Sequence, residues 1–371
     1  MFDLYSGNTP SRLNKEHFKG TVNWISSGEL KEHYIYSSKE QISEEAAKSL
    51  KLLPVGTFVI AIYGLEAEGV RGTGSIIQEP STISQACMSF IPKGVIENEF
   101  LYSWYKKHGN VIGIRYAQGT KQQNLSYDIL EKFMIVYPNT KEQEKLNKFI
   151  SLLDERITTQ NKIIEDLKKL KCAIIEKHYR QAKLHKYKIC DLGVPFSVGS
   201  LSKEDLSEEG HECILYGELF TTYDCVINEV KSHTNKIANT TLSQKGDLLF
   251  PSSTTVDAVS LISPSVIDTP NVILGGDMFG IHIDKKFNAY YLSYYINLIA
   301  RKKLAIYAKG STIIHLHYKD IAKAQLLLPD LCEQDKIAKC MMAEDAKINV
   351  EEQLLTKLEK QKQYLLRQMF I

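Results

Sequence analysis

The sequence predicts an α+β chain: two pseudo-repeated α/β modules separated by two long helices that form an antiparallel coiled coil. Three observations predict it. A long-range repeat runs through the chain, short apolar runs punctuated by Gly and Pro fill each copy, and a heptad stripe follows each copy.

The repeat comes first. Tyr116-Ala117-Gln118-Gly119-Thr120 recurs as Tyr307-Ala308-Lys309-Gly310-Ser311, with Tyr307 standing 191 residues after Tyr116. The same offset aligns Leu125 with Leu316, Tyr127 with Tyr318, Pro138 with Pro329, Gln143 with Gln334, Asp154 with Asp345 and Leu167 with Leu358. Gly56 matches Gly246 after a one-residue indel. One register held over this distance means a duplicated unit, and a repeat missed at this stage misassigns the whole fold.

Within each copy, Thr57–Tyr63 and Asp247–Phe250 are apolar runs after a Gly turn and read as strands. Phe133–Tyr137 and Ala324–Leu328 are strand-like and stop at Pro138 and Pro329. Glu99–Lys107 and Ala289–Lys303 carry apolar residues at helical spacing. After each proline, a stripe spaced by threes and fours begins. Leu146, Ile150, Leu153, Ile157, Ile164, Leu167 and Ile174 form the first, with Gln160 and Lys171 in the remaining positions. Ile337, Met341, Ile348, Leu355, Leu358, Leu365 and Met369 form the second, interrupted by Glu344, Glu351 and Lys362. Such a stripe is a coiled-coil seam, and helices of about 35–40 residues would reach roughly 55 Å. The expected boundaries are a module at 1–140, a helix at 141–186, a module at 187–330 and a helix at 331–371.

Composition narrows the function classes. The 371 residues are 43% hydrophobic and 24% charged, which suits a globular protein with room for two or three domains. No apolar run reaches the ~18 residues of a membrane span, and Met1–Tyr5 shows no signal peptide. Seven cysteines without a Cys-x-x-Cys pair predict reduced thiols and a cytoplasmic location. The net charge of +2 is small, but residues 141–188 hold 13 basic and 7 acidic side chains. This concentration reads as a solvated helix face, or as a contact for phosphates or an acidic partner.

Two loops per copy stand out. Gly119-Thr120-Lys121-Gln122-Gln123-Asn124 is rich in amides that can pair with adenine edges, and its Lys can reach guanine or phosphate. Its counterpart runs through Ser311, Thr312, His315 and His317. Arg71-Gly72-Thr73-Gly74-Ser75 suits a groove or phosphate contact, and Ser252-Ser253-Thr254-Thr255 offers hydroxyls to phosphates. The plain reading of all four is tight turns that close strands. Arg301-Lys302-Lys303 ends a helix, where cations suit the dipole in any case. Trp24 reads as a core residue more than a stacking platform.

Taken together, these elements resemble the specificity subunits of type I restriction–modification systems. Ser6-Gly7-Asn8-Thr9-Pro10-Ser11-Arg12 followed by Trp24–Leu30, and Ile214-Leu215-Tyr216-Gly217-Glu218-Leu219 in the second copy, carry the resemblance. So do the Gly-Thr/Ser loop, the Pro and the Glu-Gln helix start found in both halves. The resemblance covers essentially the whole chain. It implies two target-recognition domains, each reading one half of a bipartite, asymmetric double-stranded DNA site. The helices would act as a ruler for the unread spacer and dock two methyltransferase subunits, and restriction subunits would join to complete the nuclease. It implies a DNA reader with no catalytic residue, cofactor or metal of its own. The first copy has no counterpart of Tyr187-Lys188-Ile189-Cys190-Asp191-Leu192 ahead of its opening segment.

Rival readings are weaker. Pro329-Asp330 with Asp345-Ala346-Lys347 mimics a nuclease metal motif, but Asp345 and Lys347 lie inside the helical stripe. No Asn-Pro-Pro-Tyr-like loop or Gly-rich cofactor loop marks a methyltransferase. His211, Cys213, Cys225 and His233 lack zinc spacing. A bivalent protein-binding scaffold with a coiled-coil spacer and no DNA recognition stays open as the alternative.

Overall fold

A computed structural model describes residues 1–67, 69–119 and 121–370; Glu68, Thr120 and Ile371 lie outside the described residues. The chain divides into two compact units. The first takes residues Met1–Asn161 with Leu354–Ile371, and the second takes Lys162–Gln353.

The first unit is built on a five-stranded sheet in the order Phe2–Ser6, Cys87–Pro92, Phe58–Ala61, Gly74–Ile77, Tyr34–Ile35. The first four strands are antiparallel neighbours and the last pairs in parallel. Phe58–Ala61 is buried on both faces, which accounts for its continuous apolar run. A second sheet joins Gln41–Ile42, Val22–Ile25 and Ser81–Ile83. Trp24 lies in this sheet, 4% exposed, and its indole N–H donates to the Asn8 carbonyl at 3.0 Å. It is the core residue its sequence context favoured. The helix Asn98–Tyr116 packs Phe100, Leu101, Trp104 and Tyr105 into the core.

The second unit repeats that plan. Its sheet runs Gly193–Ser197, Met278–Ile283, Asp247–Pro251, Ser265–Ile267, Val226–Ile227, again with only the last pair parallel. Its second sheet is larger, with five strands around His211–Leu215 and Ile273–Gly275. The stretch expected to be helical is a helix at Ala289–Tyr295 that continues through a π turn at Ile296–Ala300 to Arg301–Leu304.

One expected strand differs between the units. Gln325–Leu328 pairs antiparallel with His185–Lys188. Its counterpart, Phe133–Tyr137, forms no ladder. Its alternating apolar pattern is present, yet a strand needs a neighbour for its backbone groups, and among the described residues of the first unit none pairs with it.

The long helices are Thr140–Gln181, of 42 residues, and Leu331–Met369, of 39. They start alike. Asn139 and Asp330 accept from the amides of Glu142 and Glu333 at 3.1 and 3.0 Å, placing an acceptor on an otherwise unpaired N–H. The seam residues Ile150, Leu153, Ile164, Leu167, Ile348 and Leu358 are buried, each contributing about 1.5–3 kcal/mol. Within the second unit the helix segments run antiparallel: Lys168 pairs with Glu352 at 2.7 Å, and further along Lys171 pairs with Asp345. Within the first unit Asp154 pairs with Lys362, while Leu146 joins the cluster that holds Leu366 and Met369. Lys171 and Lys362 therefore interrupt the apolar stripe for a reason. They are repeat counterparts, and each meets the counterpart of the other's partner, Asp345 or Asp154. Asp345 also accepts from the Tyr294 hydroxyl at 2.5 Å.

Candidate nucleic-acid interface

In the first unit the two loops singled out by residue type form one cluster. Leu125 N–H donates to the Ile62 carbonyl at 2.8 Å, Leu65 N–H to Gln123 at 3.0 Å, and Tyr63 bridges to Asn124. Arg71 joins the loops directly. Its Nε donates to the Leu65 carbonyl at 2.7 Å and a terminal nitrogen reaches Gln123 Oε1 at 3.4 Å. Its aliphatic stem lies where a Cβ on Gly113 would sit, so the guanidinium is braced against the helix. Thr73 closes the turn before Gly74–Ile77 by donating to the Val70 carbonyl at 2.7 Å.

Lys121 and Gln122 are exposed at the tip of this cluster. Gln123 and Asn124 are half-buried. Gln123 N–H donates to a Glu66 carboxylate oxygen at 2.8 Å, and this bond holds the Glu66 carboxyl below its usual range. Asn124 exchanges backbone hydrogen bonds with Gln118, and its Oδ1 is buried without a partner. Gly119 makes the turn possible, with φ +113° and a Cβ position 2.0 Å from the Gln122 carbonyl oxygen. Thr120 falls outside the described residues.

The second unit builds its cluster on the same plan. Ser253–Thr254 pairs antiparallel with Ile314–His315, and Leu316 N–H donates to the Ser252 carbonyl at 2.8 Å. Gly310 has φ +124° and the same 2.0 Å approach, here to the Ile313 carbonyl. Ser311, Thr312 and His317 are exposed, while His315 and Thr254 are half-buried. Ser253 is only 7% exposed, so its residue sits inside the ladder rather than at the surface. The His315 and His317 rings lie near-parallel with centroids 6.0 Å apart, on either side of the buried Leu316 in sequence. A groove of about 530 Å³ beside His317 is bordered by Ser252, Asp277 and Lys319. Arg301 is tied down by donating to the carbonyls of Val259 and Ser260.

All twelve candidate residues thus gather in two equivalent clusters, one per unit. Sequence reasoning missed Glu66 and Asp277, the acidic members. Asp277 lies 4.0 Å from His315 Nδ1. Neither belongs to a motif, because each meets its cluster only through folding. Among the described residues no helix is long and apolar enough to cross a membrane, and no group of three or more His, Cys, Asp or Glu converges as a metal site.

The sequence profile of the type I restriction modification DNA specificity domain matches residues 1–169 and again 181–360. The chain belongs to that family. The two matches coincide with the two copies of the repeat. A curated relative, the type I restriction enzyme MjaIX specificity subunit of Methanocaldococcus jannaschii, is 30% identical over 174 residues. That alignment covers 45% of this chain and 39% of the relative. The EcoR124I/EcoR124II specificity subunit of Escherichia coli is 31% identical over 168 residues, covering 44% of this chain and 40% of that protein. The chain thus matches about two-fifths of the length of each. Solved structures share the fold end to end. The type I restriction–modification S subunit from M. genitalium superposes with a TM-score of 0.60 at 16% identity, over 100% of this chain and 94% of that one. A chain from a structure of a type I R-M system, solved for its assembly and conformational transition, gives 0.61 at 14% identity, over 99% and 96%.

Proposed function

We propose that this chain is the DNA-specificity subunit of a type I restriction–modification complex and performs no chemistry itself. Residues 1–140 and 187–330 are the two target-recognition domains, each reading one half of a bipartite, asymmetric double-stranded site. Residues 141–186 and 331–371 set the unread spacer and dock two methyltransferase subunits, and restriction subunits join that assembly. A cytoplasmic location goes with this role. The observation that carries the reading is the duplicated loop cluster: the same backbone plan, with Gly119 or Gly310 at its turn, presents Lys121 and Gln122 in one unit and Ser311, Thr312 and His317 in the other. One scaffold with two different sets of side chains suits two different half-sites. Within each cluster, Arg71, Thr73, Gln123, Asn124, Ser253, Thr254 and His315 shape or support the surface.

Two results are expected of the modular architecture. Exchanging residues 1–140 for those of another family member, expressed with methyltransferase partners, should change one half of the methylated sequence. Long-read methylome mapping reads this directly, and a change in both halves would count against modular reading. Inserting four residues, about one helical turn, near Lys168 should change the unread spacer and leave both half-sites intact; an unaltered spacer would refute the ruler.

The tip residues separate base from phosphate contacts. Gln122→Ala should weaken binding to the cognate duplex by about 1–3 kcal/mol and leave scrambled DNA unaffected. Lys121→Ala should weaken both alike and lower the salt slope by about one. Fluorescence anisotropy across a salt series measures both. A protein with no salt-dependent DNA affinity would instead be a scaffold.

A further inference from the structure

The candidate interface contains a third segment in each unit, marked by no motif. In the second unit Ser252 N–H donates to the Asp277 carbonyl at 2.7 Å, while the Ser252 carbonyl accepts from Leu316 N–H. In the first unit Ile62 N–H donates to the Ala86 carbonyl at 2.9 Å, while the Ile62 carbonyl accepts from Leu125 N–H. Ala86 and Asp277 are therefore repeat counterparts, each one residue ahead of its strand, Cys87–Pro92 or Met278–Ile283. Gly275-Gly276-Asp277 stands where the first unit has Ser84-Gln85-Ala86. Gly275 and Gly276 lie against Leu201 and Tyr216, where an added Cβ would come within 2.1 and 2.9 Å of those side chains. Asp277 carries the side chain of this segment.

The Asp277 side chain is 43% exposed, and among the described residues its carboxylate accepts no hydrogen bond. His315 Nδ1, at 4.0 Å, is too far away for one. The two groups stand side by side and neither satisfies the other. Other acidic groups of this surface are taken: Asp205 accepts from Lys236 and from Ser202 N–H, and Asp320 accepts from Lys309. Asp277 borders two grooves. One, of about 640 Å³, holds Ser200, Ser202 and Lys236. The other, of about 530 Å³, holds Ser252, His317 and Lys319. Hydroxyl, ammonium and imidazole donors thus surround one free carboxylate. Donors suit phosphates, whereas a carboxylate repels them. Its place on this surface calls for a ligand atom that donates.

We propose that Asp277 is a specificity-determining residue of the second unit and that, with His315, it reads a C·G pair in the major groove. The inference rests on residues 187–330 being a recognition domain. The carboxylate accepts from the cytosine N4 amino group, and the imidazole donates to the guanine paired with it. Guanine and thymine show no amino donor on their major-groove edges. Adenine shows one at N6, but its N7 acceptor lies beside that amino group and repels a carboxylate. Cytosine alone offers a donor with no acceptor next to it on the same base. In the first unit the two positions are held by Ala86 and Asn124, which carry no charge. The demand for C·G therefore belongs to one half-site, which gives the asymmetry of the site a physical cause.

The test maps the methylated sequence set by the full chain with methyltransferase partners, wild type against Asp277→Ala and Asp277→Asn. The half-site of the second unit is the half that survives exchange of residues 1–140. It should require one C·G pair that Asp277→Ala no longer requires. Asp277→Asn keeps the side-chain shape and should admit A·T at that position. In fluorescence anisotropy at fixed salt, changing the pair to T·A should weaken wild-type binding about tenfold or more and leave Asp277→Ala indifferent. Scrambled DNA should bind Asp277→Ala as tightly as wild type or more so, because a like charge facing the duplex is gone. A wild-type half-site without a required C·G pair would overturn the proposal, and that measurement depends on no variant. Unchanged maps for both variants would overturn it too. So would equal losses on cognate and scrambled duplexes, which would mean that Asp277 serves only the fold. A wild-type protein without salt-dependent DNA affinity would remove the recognition reading itself, and this proposal with it.

Discussion

Gln143→Ala is expected to cost the first unit at least about 3 kcal/mol, the largest effect of any single polar substitution proposed for this chain. Gln143 is 0% exposed. Its Oε1 accepts from Glu97 N–H at 2.9 Å, and its Nε2 donates to the carbonyls of Val95 and Pro138 at 2.8 and 2.9 Å. One side chain therefore clamps the turn before the Asn98–Tyr116 helix to the start of the first long helix. Alanine leaves three part-buried backbone groups without this partner, at about 1 kcal/mol or more each. Gln334 is the repeat counterpart. It accepts from Asn288 N–H at 3.0 Å and donates to the Pro329 carbonyl at 2.8 Å. Gln334→Ala exposes two such groups, so its cost should be smaller, about 2 kcal/mol or more, and confined to the second unit. A protein of two units need not unfold in one step, so hydrogen exchange resolved by segment is the appropriate measurement. Unchanged protection around residues 95–98 and 138–143 in Gln143→Ala would remove the clamp from the account.

Phe370→Ala is expected to destabilise the first unit by about 3–4 kcal/mol, the usual range for emptying a buried aromatic site. Phe370 is 1% exposed, and its ring centroid lies 5.2 Å from that of Phe100. Lys107 donates to the carbonyls of Arg367, at 2.7 Å, and of Phe370. The end of the second long helix is thus part of the core that Met1–Asn161 begins. Tyr179, the repeat counterpart of Phe370, sits 5.5 Å from Tyr295 in the second unit. Tyr179→Ala should loosen that unit and spare the first. Exchange protection across Asn98–Tyr116 reads the first variant. If that protection is unchanged, the last turn of the helix contributes no stability to the module.

Much of the candidate interface was legible in residue types. Segments rich in amides, hydroxyls and histidine stood out by residue type, and Gly119 and Gly310 marked the turns that present them. Their joining into one surface was not legible. Arg71 meets Gln123 across 52 positions of sequence, and Ser253 meets His315 across a longer span. No local pattern encodes either contact. The burial of Ser253 was hidden for the same reason, since a serine can close a ladder or face solvent with equal ease.

The sequence by itself determined the duplication, the helical stripes and the strand-forming segments, because periodicity and turn chemistry act over a few residues. The repeat places Lys171 and Lys362 at one register, but the aspartate partner that each meets was supplied by the structure. Only the tertiary structure decided which helix segment belongs to which unit. Both stripes have the same spacing, so the pattern alone is indifferent to partner, and the choice falls to particular contacts such as Phe370 on Phe100. Only the tertiary structure, too, decided that Phe133–Tyr137 stands unpaired while Gln325–Leu328 does not. A strand is completed by a neighbour, and the neighbour lies outside the segment that predicts it.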